Sequence, residues 1–247
     1  MKRLPILEWS LLFFLSGLPI GAGWAQFAPP AGQPGSTAMP ADSSLFVGWA
    51  VECSVERGYV HIARPELGLA EVGDCSLTTG PADNQVLSLG DGGSATLRFD
   101  PPIADGPGYD FAVFENAFND TFLELAFVEV SSDGERFVRF PSVSLTPTDE
   151  QVGTFGAVDA TKVHNLAGKY RLLFGVPFDL AELQDSTGLD IGRITHVRLV
   201  DAVGSIDSAY ARYDSEGHIV NDPYPTPFPS SGFDLDAVGV IHQATLS

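Results

Sequence analysis

The chain has 247 residues, 44 % of them apolar and 18 % charged, with 26 Gly, 18 Pro and 17 Phe. That balance suits one globular domain of large β type and excludes a collagen, a coiled coil, a polytopic membrane protein and a wholly disordered tail. Thirteen Lys and Arg face 32 Asp and Glu, a net charge of -19, so the surface repels phosphate backbones and anionic lipid heads. Nucleic acid is not an expected partner, whereas divalent cations, cationic ligands or plain salt solvation are.

Lys2 and Arg3 give a basic start, Ser10 to Ile20 is mostly apolar, and Gly23-Trp24-Ala25 puts small residues where a signal peptidase cuts. Residues 1–25 are therefore expected to be a cleaved signal peptide; an uncleaved anchor is disfavoured by a short apolar stretch interrupted at Pro19. Export points to an extracytoplasmic home, whether secreted, cell-surface or periplasmic, with no stable membrane insertion after cleavage. Residues 26–43 are small, polar and Pro-rich and read as a linker without a core, leaving 44–247 as a single folded domain. In an oxidising compartment the only two cysteines, Cys53 and Cys75, read as a disulfide, whose closure contributes roughly 3 kcal/mol through the unfolded state. The histidines show no zinc-like spacing.

From Leu45 onward, β-like runs alternate with turn clusters, which favours an all-β sandwich or barrel over alternating strands and helices. Ser94 to Phe99 places Ala95, Leu97 and Phe99 on one face and Ser94, Thr96 and Arg98 on the other, the period-two pattern of a half-buried strand, with Pro101-Pro102 as its stop. Further strands are expected over Tyr109–Glu115, Glu124–Val130, Phe137–Phe140, Lys169–Phe174, Ile194–Val200 and Phe233–Ile241. One short helix is expected at Phe178–Leu183, where Asp179 and Glu182 fit a capping box. Asp214 to Asp222 has a loose resemblance to a calcium loop, but Gly217 falls at the wrong position, and a hairpin turn around Glu216-Gly217 explains the same residues. Pro223 to Pro229 is a stiff segment carrying Tyr224 and Phe228. These rings are candidate ligand contacts, the alternative being a strap packed across the sandwich with its rings inward.

In the last strand Phe233, Leu235, Ala237 and Ile241 share one face, and Asp234, Asp236, Val238 and Val240 the other. Two carboxylates roughly 6 to 7 Å apart on a partly covered face need a partner. A hard cation such as calcium, taking oxygen ligands only, supplies one; backbone N–H groups or water are the alternative.

At VLSLGDGGS (86–94), DFAVFENAF (110–118), FVEVSSDG (127–134) and GFDLDAV (232–238) the sequence resembles an uncharacterised family of secreted bacterial cell-surface proteins. The resemblance implies a galactose-binding-like jelly roll, an architecture shared with carbohydrate-binding modules and discoidin domains. Some distantly similar proteins accompany outer-membrane uptake systems for glycans and cobalamin. Modules of this architecture often hold a structural calcium near an acidic residue of the final strand. That points to Asp236 first and Asp234 second, with Asp83, Asn84, Asp110, Glu115 and Asn116 as candidate co-ligands. The resemblance supplies no catalytic residue.

No Gly-x-Ser-x-Gly elbow, His-Glu-x-x-His pair or phosphate loop is present. A carboxylate pair drawn from Glu115, Glu124 and Glu129 is the remaining route to catalysis, by glycoside cleavage, although Glu124 and Glu129 fall on opposite faces of a regular strand. The expected function is a non-catalytic, calcium-stabilised binding module for extracellular carbohydrate. The alternatives are a surface accessory that captures a nutrient such as cobalamin and a glycoside-active enzyme.

Overall fold

The computed structural model describes residues 27–245, so the expected signal peptide lies outside the described residues. Two antiparallel sheets enclose one core, as the all-β sandwich expectation requires. The first contains, in spatial order, β1 (Met39–Pro40), β11 (Phe174–Phe178), β6 (Phe111–Glu115), β13 (Asp234–Val240) and β2 (Gly48–Trp49), with β4 (Leu87–Ser88) also paired to β13. The second contains β3 (Glu52–Glu56), β5 (Ser94–Ile103), β12 (Ile194–Asp201), β7 (Ala126–Ser131) and β8 (Val138–Arg139). A separate ribbon pairs β9 (Val143–Ser144) with β10 (Val163–His164).

Leu97, Phe99 and Ile103 of β5, with Val197 and Leu199 of β12, meet Phe111 and Val113 of β6 and Leu235 and Val238 of β13 in a continuous apolar cluster. Burial of this apolar surface is the main term holding the sheets together. The sheets differ on their outer sides. Phe46 and Trp49 pack over Phe114 and Ala237, so the centre of the first sheet is buried on both faces. The second sheet keeps the alternation seen in the sequence, with Ala95, Leu97 and Phe99 inward and Ser94, Thr96 and Arg98 facing outward. Cys53 of β3 is bonded to Cys75, which opens a short 3-10 turn, and so ties the edge of the second sheet to the loop before β4.

Several local expectations are corrected. The 26–43 segment is not free of the core over its described part. Ala31 is buried, Met39 and Pro40 pair with β11, and Phe27 stacks on His164 at 4.9 Å. Small residues and prolines here let the chain lie flat on the sandwich. β5 does not stop at Pro101-Pro102: its register against β12 shifts between the Arg98 and Ile103 pairings, and this irregularity accommodates residues that cannot donate to the ladder.

Of the expected Lys169–Phe174 strand, residues 169–173 form a loop, and the strand begins only at its last residue, running over Phe174–Phe178. Lys169 turns inward and donates from Nζ to the Val163 carbonyl at 2.7 Å, while Leu173 adopts a φ of 62° that ends any extended run. Pro177 within β11 is tolerated because β1 pairs only with Phe174 and Gly175, leaving the missing N–H of Pro177 without a ladder partner to disappoint. The expected helix is a 3-10 turn over Leu180–Leu183, capped by Asp179 on the Ala181 N–H at 2.9 Å.

The last strand changes parity midway. Its register against β6 slips between Leu235 and Ala237, so Val238 and Val240 join Phe233 and Leu235 in the main core while Ala237 faces the outer layer. One extra residue, Asp236, accounts for the switch.

Candidate functional site

Where β6 ends at Glu115 and β13 begins at Asp234, a cavity of about 390 Å³ opens between three loops. Its wall is a run of four phenylalanines. Phe118 and Phe122 stack with centroids 4.6 Å apart, Phe122 and Phe155 lie 6.1 Å apart, and Phe155 and Phe228 5.9 Å apart. Phe155 is 72 % exposed and Phe118 61 %, an open aromatic patch of the kind that marks a binding surface.

Local chemistry fixes these rings. The Asn119 side chain accepts from the Thr121 and Phe122 N–H groups, an Asx turn that brings Phe118 and Phe122 to the same side. Leu123 and Leu125 anchor the turn in a second apolar cluster with Phe127, Val163 and Val220. Gly168 presses against this segment with φ +83°, and a Cβ there would lie 1.8 Å from the Glu124 carbonyl oxygen, so only glycine allows the approach. The Phe155 loop is held by buried Asn221, whose amide donates to the Pro147 and Glu150 carbonyls and accepts from the Val152 N–H. Thr154 adds a bond to the Pro225 carbonyl at 2.8 Å.

The floor is acidic. Glu124 and Asp234 line the cavity, with Glu115 behind them. Glu124 is 7 % exposed, and among the described residues none donates a hydrogen bond to its carboxylate. Burial, followed by the charges of Asp234, Glu115, Asp222 and Asp201, holds its pKa well above the ordinary carboxylate value. Glu115 accepts from the Ala117 N–H through Oε2 at 2.7 Å, while Oε1 is buried with no partner among the described residues. Its pKa is also raised well above normal, by burial and then by Asp234. Asp234 accepts from the Ser88 hydroxyl, and burial pushes it up to about 7. Arg57 is the cation nearest in effect to Asp234, but its guanidinium donates to the Val72, Gly73 and Ser88 carbonyls. Asn84, Asn116, Thr226 and Ser230 complete the polar part of the lining.

Deeper still, Asp201 accepts N–H bonds from Gly92, Val203 and Phe233, and burial raises it to about 6. Burial and the Asp201 charge raise Asp91 to about 8 and place Asp222 well above normal. These carboxylates tie loops together through backbone donors.

The seven candidate metal ligands divide. Asp234, Asn116 and Asn84 line the cavity, with Glu115 behind them. Asp236 accepts from the Asp83 and Asn84 N–H groups at 3.1 and 3.0 Å, and Asp83 caps Gln85 at 3.0 Å. Asp110 stands at the opposite end of β6, accepting from Gly106 and Leu180 N–H groups and from His242 Nδ1. Two N–H donors face Asp236, the arrangement that the backbone alternative to a cation describes. Among the described residues only Asp105, Asp110 and Asp179 bring three carboxylate oxygens within 4.8 Å of one another, and Asp110 in that trio is already satisfied by N–H donors.

Tyr224 and Phe228 also separate. Tyr224 is buried edge-on against His61, as a strap would have it, whereas Phe228 faces the cavity. The Asp214–Asp222 segment is the expected turn, closed by a Tyr213–Ile219 bridge. Phe118, Phe122 and Phe155 were not singled out from the sequence. Their signal was present as large rings set in polar or glycine-flanked loops, where no core periodicity accounts for them.

Two larger clefts, of about 960 and 720 Å³, lie beside β12 and β9; neither sets a wall of rings over unpaired carboxylates. Comparison of the chain with family models, with curated proteins and with solved structures finds no match. No helix among the described residues is long and apolar enough to cross a membrane.

Proposed function

We propose that the protein is an extracytoplasmic, non-catalytic binding module for extracellular carbohydrate, with the phenylalanine-walled cavity as its site. The observation that carries this reading is the pairing of four clustered rings, three of them exposed and Phe122 half-buried, with a floor of carboxylate and amide acceptors. Flat rings stack on the C–H face of a pyranose, and carboxylates and amides accept its hydroxyl hydrogens. Rings already held by their loops lose little freedom on binding. Calorimetric titration with short neutral oligosaccharides tests the reading: Phe155→Ala is expected to weaken binding roughly tenfold, and the absence of any oligosaccharide binding by the intact protein overturns it.

A glycoside-active enzyme is the second reading. It is favoured by one observation, that Glu124 and Asp234 line the same cavity with raised pKa values, the condition of a general acid near neutral pH. Release of new reducing ends that disappears in Glu124→Gln would establish it.

A further inference from the structure

The cavity combines rings that cannot accept conventional hydrogen bonds with carboxylates that lack a counter-cation, and no Lys, Arg or His is among the described residues that line it. Glu124 is more than nine-tenths buried, faces the cavity and has no hydrogen-bond donor among the described residues. Behind it, Glu115 Oε1 is buried and unpartnered. The ionised form of an acid in that position is costly unless a positive donor reaches it. The faces of Phe122, Phe155 and Phe228 carry negative electrostatic potential and attract the same kind of group. We propose that the carbohydrate taken by this cavity carries a protonated primary amine, seated against the ring faces with its N–H groups directed to Glu124, as in an amino sugar that is not N-acetylated. This inference rests on the carbohydrate reading above and narrows it to a cationic class.

The test compares three short oligomers on the full chain by calorimetry: glucosamine, N-acetylglucosamine and glucose. The glucose series controls for the bulk of the acetyl group. The glucosamine oligomer is expected to bind at least about tenfold more tightly than either neutral series. Glu124→Gln, which keeps the shape of the side chain but removes its charge, is expected to reduce that preference to within about twofold. Glu52→Gln removes the same charge from an exposed position on the second sheet and is expected to preserve the preference.

Equal affinity for all three oligomers overturns the amine assignment and leaves the carbohydrate reading standing. A preference that survives Glu124→Gln, or falls equally in Glu52→Gln, also overturns it, by assigning the effect to the overall negative field. Failure of all three series to bind removes the carbohydrate reading and this inference together.

Discussion

Glu124 and Glu129 are five residues apart in sequence and meet opposite fates. On the outer face of the second sheet, Glu129 accepts from Arg139 Nη2 at 2.8 Å and from Arg198 Nε at 2.7 Å. Those guanidiniums lie 4.2 Å above Phe127 and 3.9 Å above Phe137, so acid, cation and aromatic ring are stacked together. At the cavity Glu124 has the rings and neighbouring acids, but no described side chain supplies the cation. With 13 basic residues against 32 acidic ones, most carboxylates of the chain have no basic partner of their own. Where it does, the result is a closed surface cluster; where it does not, a donor must come from the backbone or from a ligand.

The largest consequence is in the response to pH. Burial raises Asp91 to about 8, Asp234 to about 7, and Asp201 and Asp236 to about 6, with Glu115, Glu124 and Asp222 also raised. A carboxyl group whose folded pKa lies above its unfolded one holds its proton more tightly when folded. Stability therefore falls as pH rises from the unfolded value near 4 through the folded values. The melting temperature is expected to drop by on the order of 10 °C between pH 5 and pH 8.5, measured by calorimetry at fixed ionic strength. A melting temperature that rises across this interval would mean that the cavity acids are paired as Glu129 is.

The same contrast explains what the sequence could reveal. The second sheet keeps strict alternation because one of its faces is wet, so Ala95, Leu97 and Phe99 announce their side directly. The first sheet is buried on both faces, and period-two reasoning loses its reference there. It loses it entirely at Asp236, where the slip in register moves Val238 and Val240 to the core side.

Glu115, Asn116, Asp234 and Phe228 were legible as site candidates because carboxylates within a strand and a ring on a rigid segment are locally odd. Phe118, Phe122 and Phe155 were not, since their juxtaposition depends on Asn119 and Asn221 satisfying loop backbones, Asn221 doing so across more than 60 positions of sequence. Met39 and Ala31 escaped notice for a related reason: a Pro-rich run has the composition of a linker whether or not a sheet edge lies beside it.

Neutralising one glutamate at a time sharpens the comparison further. Glu129→Gln removes the charge shared by two half-exposed arginines and is expected to lower the melting temperature by about 3 °C at pH 7, a modest figure because solvent screens both partners. Glu124→Gln is expected to act in the other direction, raising it by about 3 °C at pH 8 while leaving it unchanged at pH 5, where the native carboxyl already keeps its proton. Shifts of the same sign at pH 8 would break the distinction between a paired and an unpaired acid.

The smallest effect concerns a third kind of carboxylate, neither paired with arginine nor left open. Asp236 and Asp110 receive N–H groups from Asp83, Asn84, Gly106 and Leu180, and a metal ion at either position would have to displace donors that point at the oxygens. Treatment with a strong chelator is therefore expected to shift the melting temperature by less than about 1 °C, because a ligand that contributes nothing to the folded state leaves no linkage to remove. Scanning with added calcium decides the matter from the other side. A rise of several degrees that saturates with calcium, and is lost in Asp236→Asn, would show that the backbone donors rearrange around a cation and that the last strand holds a metal as the sequence resemblance implied.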